Sequence, residues 1–242
     1  MKICYYLFIA TLVLASCKTS TTEEQTTENT EEVQEIEKIV AVCITNGVPI
    51  RKEPNKEAKY LSSLNLGETF LYLGETAIDT NDKNREYYKV ELSDGNVAWA
   101  RSYGIKIDAT PAAIISETPI YKRPDLVTKT NKLYKPIEFI AVISEKEEWV
   151  EVVGSGNKRS GWILKRNITT SKEDVATATL ANKDLLKNGD IVMDKIPDFL
   201  EQLPYPNSQF AALLQNMLDD QVEDAVMQSI ENYEEAEEEI YN

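Results

Sequence analysis

The feature that most constrains this chain is that it says nearly the same thing twice. "PIRKEP" (Pro49–Pro54) returns seventy positions later as "PIYKRP" (Pro119–Pro124). Further on, "LNLGETF" (Leu64–Phe70) parallels "LYKPIEF" (Leu133–Phe139) at an offset of 69. "YYKVEL" (Tyr87–Leu92) then parallels "WVEVV" (Trp149–Val153) at 62, and Ala98-Trp99 parallels Gly161-Trp162 at 63. The changing offset places a seven-residue insertion in the first copy, around "IDTNDKNRE". Each copy reads as short strands of period two separated by turns, with Asp94-Gly95 as a hairpin signal in the first and Gly154 and Gly156 in the second. About five strands in some 60 residues, with no helical period, predict a small barrel or sandwich. The expected fold class is therefore mainly β: two tandem small barrels followed by a helical C-terminal region.

The repeat resembles bacterial SH3-type (SH3b) domains. The first copy offers Val48-Pro49-Ile50-Arg51-Lys52-Glu53-Pro54, Leu64-Asn65-Leu66-Gly67, Tyr87-Tyr88-Lys89-Val90 and Ala98-Trp99-Ala100. The second offers Thr118-Pro119-Ile120-Tyr121-Lys122-Arg123-Pro124, Leu133-Tyr134-Lys135-Pro136, Trp149-Val150-Glu151-Val152 and Gly161-Trp162-Ile163. Against the family pattern, Pro replaces the usual Asn in both copies, Tyr121 replaces an Arg, and Pro136 stands for the turn Gly. The resemblance covers about residues 39–168 and implies non-catalytic binding, with peptides of the cell wall or an envelope protein segment as ligand. It gives a first domain over 39–107 and a second over 108–169.

Strand alternation sorts the aromatic residues. Tyr88, Val90 and Leu92 share a face expected to be buried, and Tyr87 lies opposite them; Trp149 likewise lies opposite Val150 and Val152. Tyr87 and Trp149 are thus expected to lean toward solvent as a ligand platform. Arg51, Tyr121 and Arg123, in the first long loop of their copies, are expected to border the same cleft. Trp99 and Trp162 are expected in the core.

The chain opens "MKICYYLFIATLVLASCKTS". The apolar run Ile3–Ala15 would make about 20 Å of helix, short of a roughly 30 Å hydrocarbon core, so it reads as an export signal over residues 1–16. Leu14-Ala15-Ser16-Cys17 resembles the bacterial lipobox. That resemblance implies diacylglycerol on the Cys17 thiol, cleavage before it, and anchoring to a bacterial membrane by its acyl chains. Residues 17–38 are Thr- and Glu-rich and almost without apolar side chains, which predicts a disordered tether.

Composition removes several functions. With no histidine, Ser-His-Asp and Cys-His catalysis and the commonest metal ligand are excluded. The net charge of −15 and the lack of a basic stretch argue against nucleic acid as a partner. "DTNDKN" (Asp79–Asn84) lacks the Gly and Glu of a calcium loop, and no cofactor or metal is expected. Cys43, in "IVAVCI", reads as a buried small hydrophobe.

Beyond Asn167 the period changes toward 3.6. A helix is expected from an N-cap at Ser171 to a stop at Gly189, and a shorter one over about Ile191–Leu203 that Pro197 must start or kink. Ser208 then caps a long amphipathic helix with Phe210, Leu213, Leu214, Met217, Val222, Val226, Ile230 and Tyr233 in one stripe. The stripe is expected either to pack on the body, the favoured reading, or to dock a partner. This C-terminal region spans 170–242.

Overall fold

The computed structural model describes residues 38–241. The export signal, Cys17 and the tether up to residue 37 lie outside the described residues.

Two seven-stranded antiparallel sheets fill the repeat region. The first is built from Ile39–Cys43 (β1), Val48–Arg51 (β2), Tyr60–Leu64 (β3), Thr69–Asp79 (β4), Arg85–Glu91 (β5), Val97–Arg101 (β6) and Ile105–Ile107 (β7). The second is built from Thr110–Ile114 (β8), Thr118–Tyr121 (β9), Lys129–Tyr134 (β10), Phe139–Lys146 (β11), Trp149–Gly154 (β12), Ser160–Leu164 (β13) and Ile168–Thr169 (β14). Strand order is β3-β2-β6-β5-β4-β1-β7 in one and β10-β9-β13-β12-β11-β8-β14 in the other. The two orders are the same, strand for strand, and each sheet has a 3-10 turn before its last strand.

Each sheet curls around its own interior. In the first, Ala41, Cys43, Ile50, Phe70, Val90 and Ala100 belong to one buried cluster drawn from all seven strands. Tyr72 and Tyr88 pack against it, edge to face at 5.3 Å. Burial, chiefly, raises the Tyr88 hydroxyl above its usual range, with the neighbouring Glu86 adding to it. The second interior is likewise one cluster, with Ala112, Ile120, Tyr134, Ile140, Val152 and Ile163.

A third cluster joins the two. Val42 of the first sheet, with Ile44 and Leu66 of its connecting turns, meets Phe139, Ala141 and Val153 of the second, with Val175 of the following helix. A backbone bond from Gly156 N to Ile44 O, at 2.7 Å, crosses the same junction.

The sheet register corrects the offset of 69. Leu64 faces Val48 as Tyr134 faces Thr118, and Phe70 faces Ala41 as Ile140 faces Ala112, so an offset of 70 holds from Pro49 to Phe70. The insertion is then eight residues, and it lengthens the β4–β5 hairpin. The counterpart of Gly67 (φ 82) is not Pro136 but Ile137, at φ 68.

The C-terminal region is helical, as expected: Lys172–Asp184 (α1), Ile196–Gln202 (α2, with Pro197 in its first turn) and Gln209–Tyr241 (α3). The first helix ends five residues before Gly189. Leu186–Lys187 (β15) and Asp190–Ile191 (β16) pair instead around Asn188-Gly189, both at positive φ, which is the two-residue hairpin such a dipeptide favours. Ala178, Ala181, Leu185, Ile196, Phe210 and Leu214 pack on Ala113 and Ile137 of the second sheet. Ser208 caps α3 through its hydroxyl, which accepts from Phe210 N at 3.2 Å. From Asp219 to Ile230 every residue of α3 is exposed. Among the described residues no helix is long and apolar enough to cross a membrane.

Candidate functional site: two equivalent outer faces

Directly paired residues on neighbouring strands point to the same side of a sheet. In the first sheet Arg51 and Lys89 both pair with Trp99, and Tyr87 pairs with Arg101 and Ala77. Arg51, Tyr87, Lys89, Trp99 and Arg101 therefore share the outer face, opposite Tyr88 and Val90. In the second sheet Tyr121 and Glu151 pair with Trp162, and Trp149 pairs with Leu164. Tyr121, Trp149, Glu151 and Trp162 share the equivalent face. The tertiary structure thus brings Arg51 and Tyr87 together in one copy, and Tyr121 and Trp149 in the other.

Exposure reverses the expectation within each face. Tyr87 is 1% exposed and Trp149 and Tyr121 are 6% exposed, so none of them leans into solvent. Trp99 and Trp162, expected in the cores, stand on the outer faces half-buried. Two signals in the chain could have found this: Trp99 lies between Ala98 and Ala100, and Trp162 between Gly161 and Ile163. Ala98, Ala100 and Ile163 are the residues that fill the interiors, so the alternation turns each Trp outward.

Burial of the platform has a local cause in each copy. In the second, Tyr121 and Trp149 pack edge to face with ring centroids 4.9 Å apart, each ring covering the other. In the first, the loop between β2 and β3 is pinned across the face. Arg51 Nη1 donates to Ala58 O at 2.7 Å, and Lys56 N donates to Asp79 Oδ2 at 2.9 Å. Asp79 is two residues along β4 from Ala77, the partner of Tyr87. Arg51 Nε is buried with no hydrogen-bond partner among the described residues. Leaving such a donor unmet costs about 1–3 kcal/mol. Arg101 lies over the ring of Tyr103, 4.7 Å from its centroid, at the rim. Arg123 is exposed in the loop between β9 and β10.

The chemistry of the two faces differs. The first carries Arg51, Arg101 and Trp99, with Lys89 ion-paired to Glu75 at 2.6 Å. The second is aromatic, with Glu151 and with Lys146 paired to Trp149. Aromatic and charged side chains on such faces are of the kind that can stack on and hydrogen-bond an extended chain. Cys43 is buried in the first interior, and its thiol donates to Thr45 O at 3.0 Å. Burial pushes that thiol up to about 11, the neighbouring backbone bond only partly offsetting it, so it stays protonated. Among the described residues no group of His, Cys, Asp and Glu could hold a metal ion.

A separate cleft of about 540 Å³ lies where the first sheet meets the helices, lined by Leu66, Gly67, Pro111, Val175, Thr179 and Tyr205.

No protein-family model matches this chain, and no curated protein does. Two solved structures similar to it are NlpC1 and NlpC2 from Trichomonas vaginalis. The first is 11% identical with a TM-score of 0.24, covering 55% of this chain and 45% of that one. The second is 12% identical with a TM-score of 0.25, covering 62% and 57%. The chain spans about half the length of these two structures.

Proposed function

We propose that this protein is a non-catalytic binding protein of the bacterial cell envelope, held to a membrane by lipid on Cys17. Its two SH3b-like modules hold cell-wall peptides, or an extended segment of an envelope protein, on their outer faces. The observation that carries the reading is that one strand order, used twice, puts a strip of aromatic rings in the same place on both modules: Trp99 and Tyr87 beside Arg51 on one, Trp162 and Trp149 beside Tyr121 on the other. The half-buried Trp99 and Trp162 are the rings a ligand meets, while Tyr87, Tyr121 and Trp149 set the floor beneath. Retention on purified wall tests this. Trp99→Ala plus Trp162→Ala is expected to lose most retention while the protein stays folded, and full retention by that variant would sink the reading. Mass spectrometry of the mature amino terminus tests the anchor, which an unmodified Cys17 refutes.

A second reading has its own observation. The far half of α3 leaves the body with Val222, Val226, Met227 and Ile230 exposed, a surface suited to docking a partner. Removal of residues 219–242 is expected to abolish capture of that partner and leave wall retention intact.

A further inference from the structure

We propose that the occupant of α3 is a second copy of this protein, whose β9–β10 loop seats on the exposed half of the helix. The proposal rests on the second reading above and names its partner.

The loop is an apolar tip in a basic collar. Val127 is 87% and Leu126 65% exposed, and Lys122, Arg123 and Lys129, exposed too, flank them in the chain, with Asp125 the one acid between. The tip is held in shape rather than free to fold back. Asp125 Oδ1 accepts from Val127 N at 3.0 Å, and the Thr128 hydroxyl donates to Arg123 O and Asp125 O at 3.0 and 2.8 Å. The fold does not require such a tip. The equivalent loop of the first sheet, Lys52–Lys59, carries Glu53 and Glu57 among its lysines and no aliphatic side chain larger than that of Ala58 apart from Pro54.

The helix is the complement. Val222, Val226, Met227 and Ile230 stand among Asp219, Asp220, Glu223 and Asp224, all exposed. No Lys or Arg follows Lys195 in the sequence, while twelve Asp and Glu do. Pairing α3 with another α3 would set acid against acid. At a net charge of −15, two copies repel at most orientations and approach only where the signs are opposite. Loop and helix have opposite signs around apolar centres, so one chain carries both halves of the interface. Exchanged reciprocally, the contact closes a pair; made in one direction, it propagates. With only two aliphatic side chains on one side, the contact is weak and sensitive to salt.

Co-precipitation between two differently tagged full-length chains tests the proposal by complementation. One variant carries Leu126→Glu and Val127→Glu, the other Val222→Lys and Val226→Lys, all exposed positions. Each variant is expected to capture its own kind at least about tenfold less than wild type captures wild type. The two mixed together are expected to regain capture, since each supplies the face the other lacks, and salt is expected to weaken the wild-type pairing. Equal capture in all combinations overturns the proposal, as does no gain on mixing. If the loop variant loses only binding to anionic vesicles, a lipid surface replaces the second copy as its partner. If removal of residues 219–242 still abolishes capture of some other envelope protein while the complementation fails, the docking helix stands and the second copy does not.

Discussion

Single residues in this protein are held in conformations that only their neighbours justify. Ile137 is β-branched, fully buried and left-handed, where the first sheet uses Gly67. That backbone costs a side-chain-bearing residue about 1–2 kcal/mol. It persists because the side chain enters the cluster of Ala178, Leu185, Phe210 and Leu214. Ile137→Gly relieves the strain and loses the burial, a net destabilisation of about 1–3 kcal/mol expected from chemical denaturation. The reciprocal change is worse, since a Cβ on Gly67 lies 2.7 Å from Thr179 Oγ1. A second such residue is Arg159. It donates to Glu138 Oε1 at 2.6 Å and to Leu133 O at 2.6 Å and lies over the Tyr134 ring, while Glu138 is almost wholly buried. Arg159→Ala strands a buried carboxylate. With a third of the Arg side chain in solvent, the cost falls at the low end of such losses, about 3 kcal/mol by thermal or chemical unfolding. Neither was legible in the chain. Pro136 looked like the turn residue because the offset was read one residue short, and Glu138 meets an Arg twenty-one positions away.

Among elements, one carboxylate ties the start of α3 to α1, beside the apolar packing of Phe210 and Leu214. Asp174, in the first turn of α1, accepts from the Thr169 and Ser208 hydroxyls, from Gln209 N and from Gln209 Nε2, at 2.7–3.0 Å. Burial raises its pKa, but the four hydrogen bonds outweigh burial and leave it below the usual carboxylate range. A group depressed in the folded state contributes stability above its unfolded pKa of about 3.9, and that contribution fades as pH falls through the folded value. Acid is therefore expected to loosen α3 from α1 below about pH 4. Asp174→Asn should cost about 1.5–3 kcal/mol at neutral pH and little once the wild-type carboxylate is protonated, read as melting temperature against pH. The stripe along α3 was visible in sequence, and its division was not. The row Leu214, Leu218, Val222, Val226 and Ile230 advances four residues at a time, drifting about 40° per step. Its first members pack on the body, and beyond Leu218 every residue to Ile230 is exposed on all sides, so the helix has run past the surface it packs on.

At the scale of the molecule, the two sheets are not beads on a string. Phe139 sits in the cluster that joins them to α1, 1% exposed. Phe139→Ala is expected to cost about 3–5 kcal/mol. In the wild type the two sheets should unfold in one calorimetric transition, and in this variant the transition should broaden or split. Two well-separated transitions already present in the wild type would contradict the shared cluster.

What the chain determined by itself is whatever is written in local period and turn chemistry. Two strand-rich modules in tandem, a helical end, the capping Ser208 and the side of the sheet on which Tyr87 and Trp149 lie all followed from spacing alone, because the geometry that sets them spans only a few residues. Which face meets water was decided elsewhere. Alternation put Tyr87 and Trp149 on the outer side correctly, yet Tyr87 is buried on the face where the β2–β3 loop is tied to Asp79, and the ring of Tyr121 packs on Trp149. The third cluster and the free half of α3 arise the same way: burial depends on what packs against a surface, and that neighbour is usually distant in sequence.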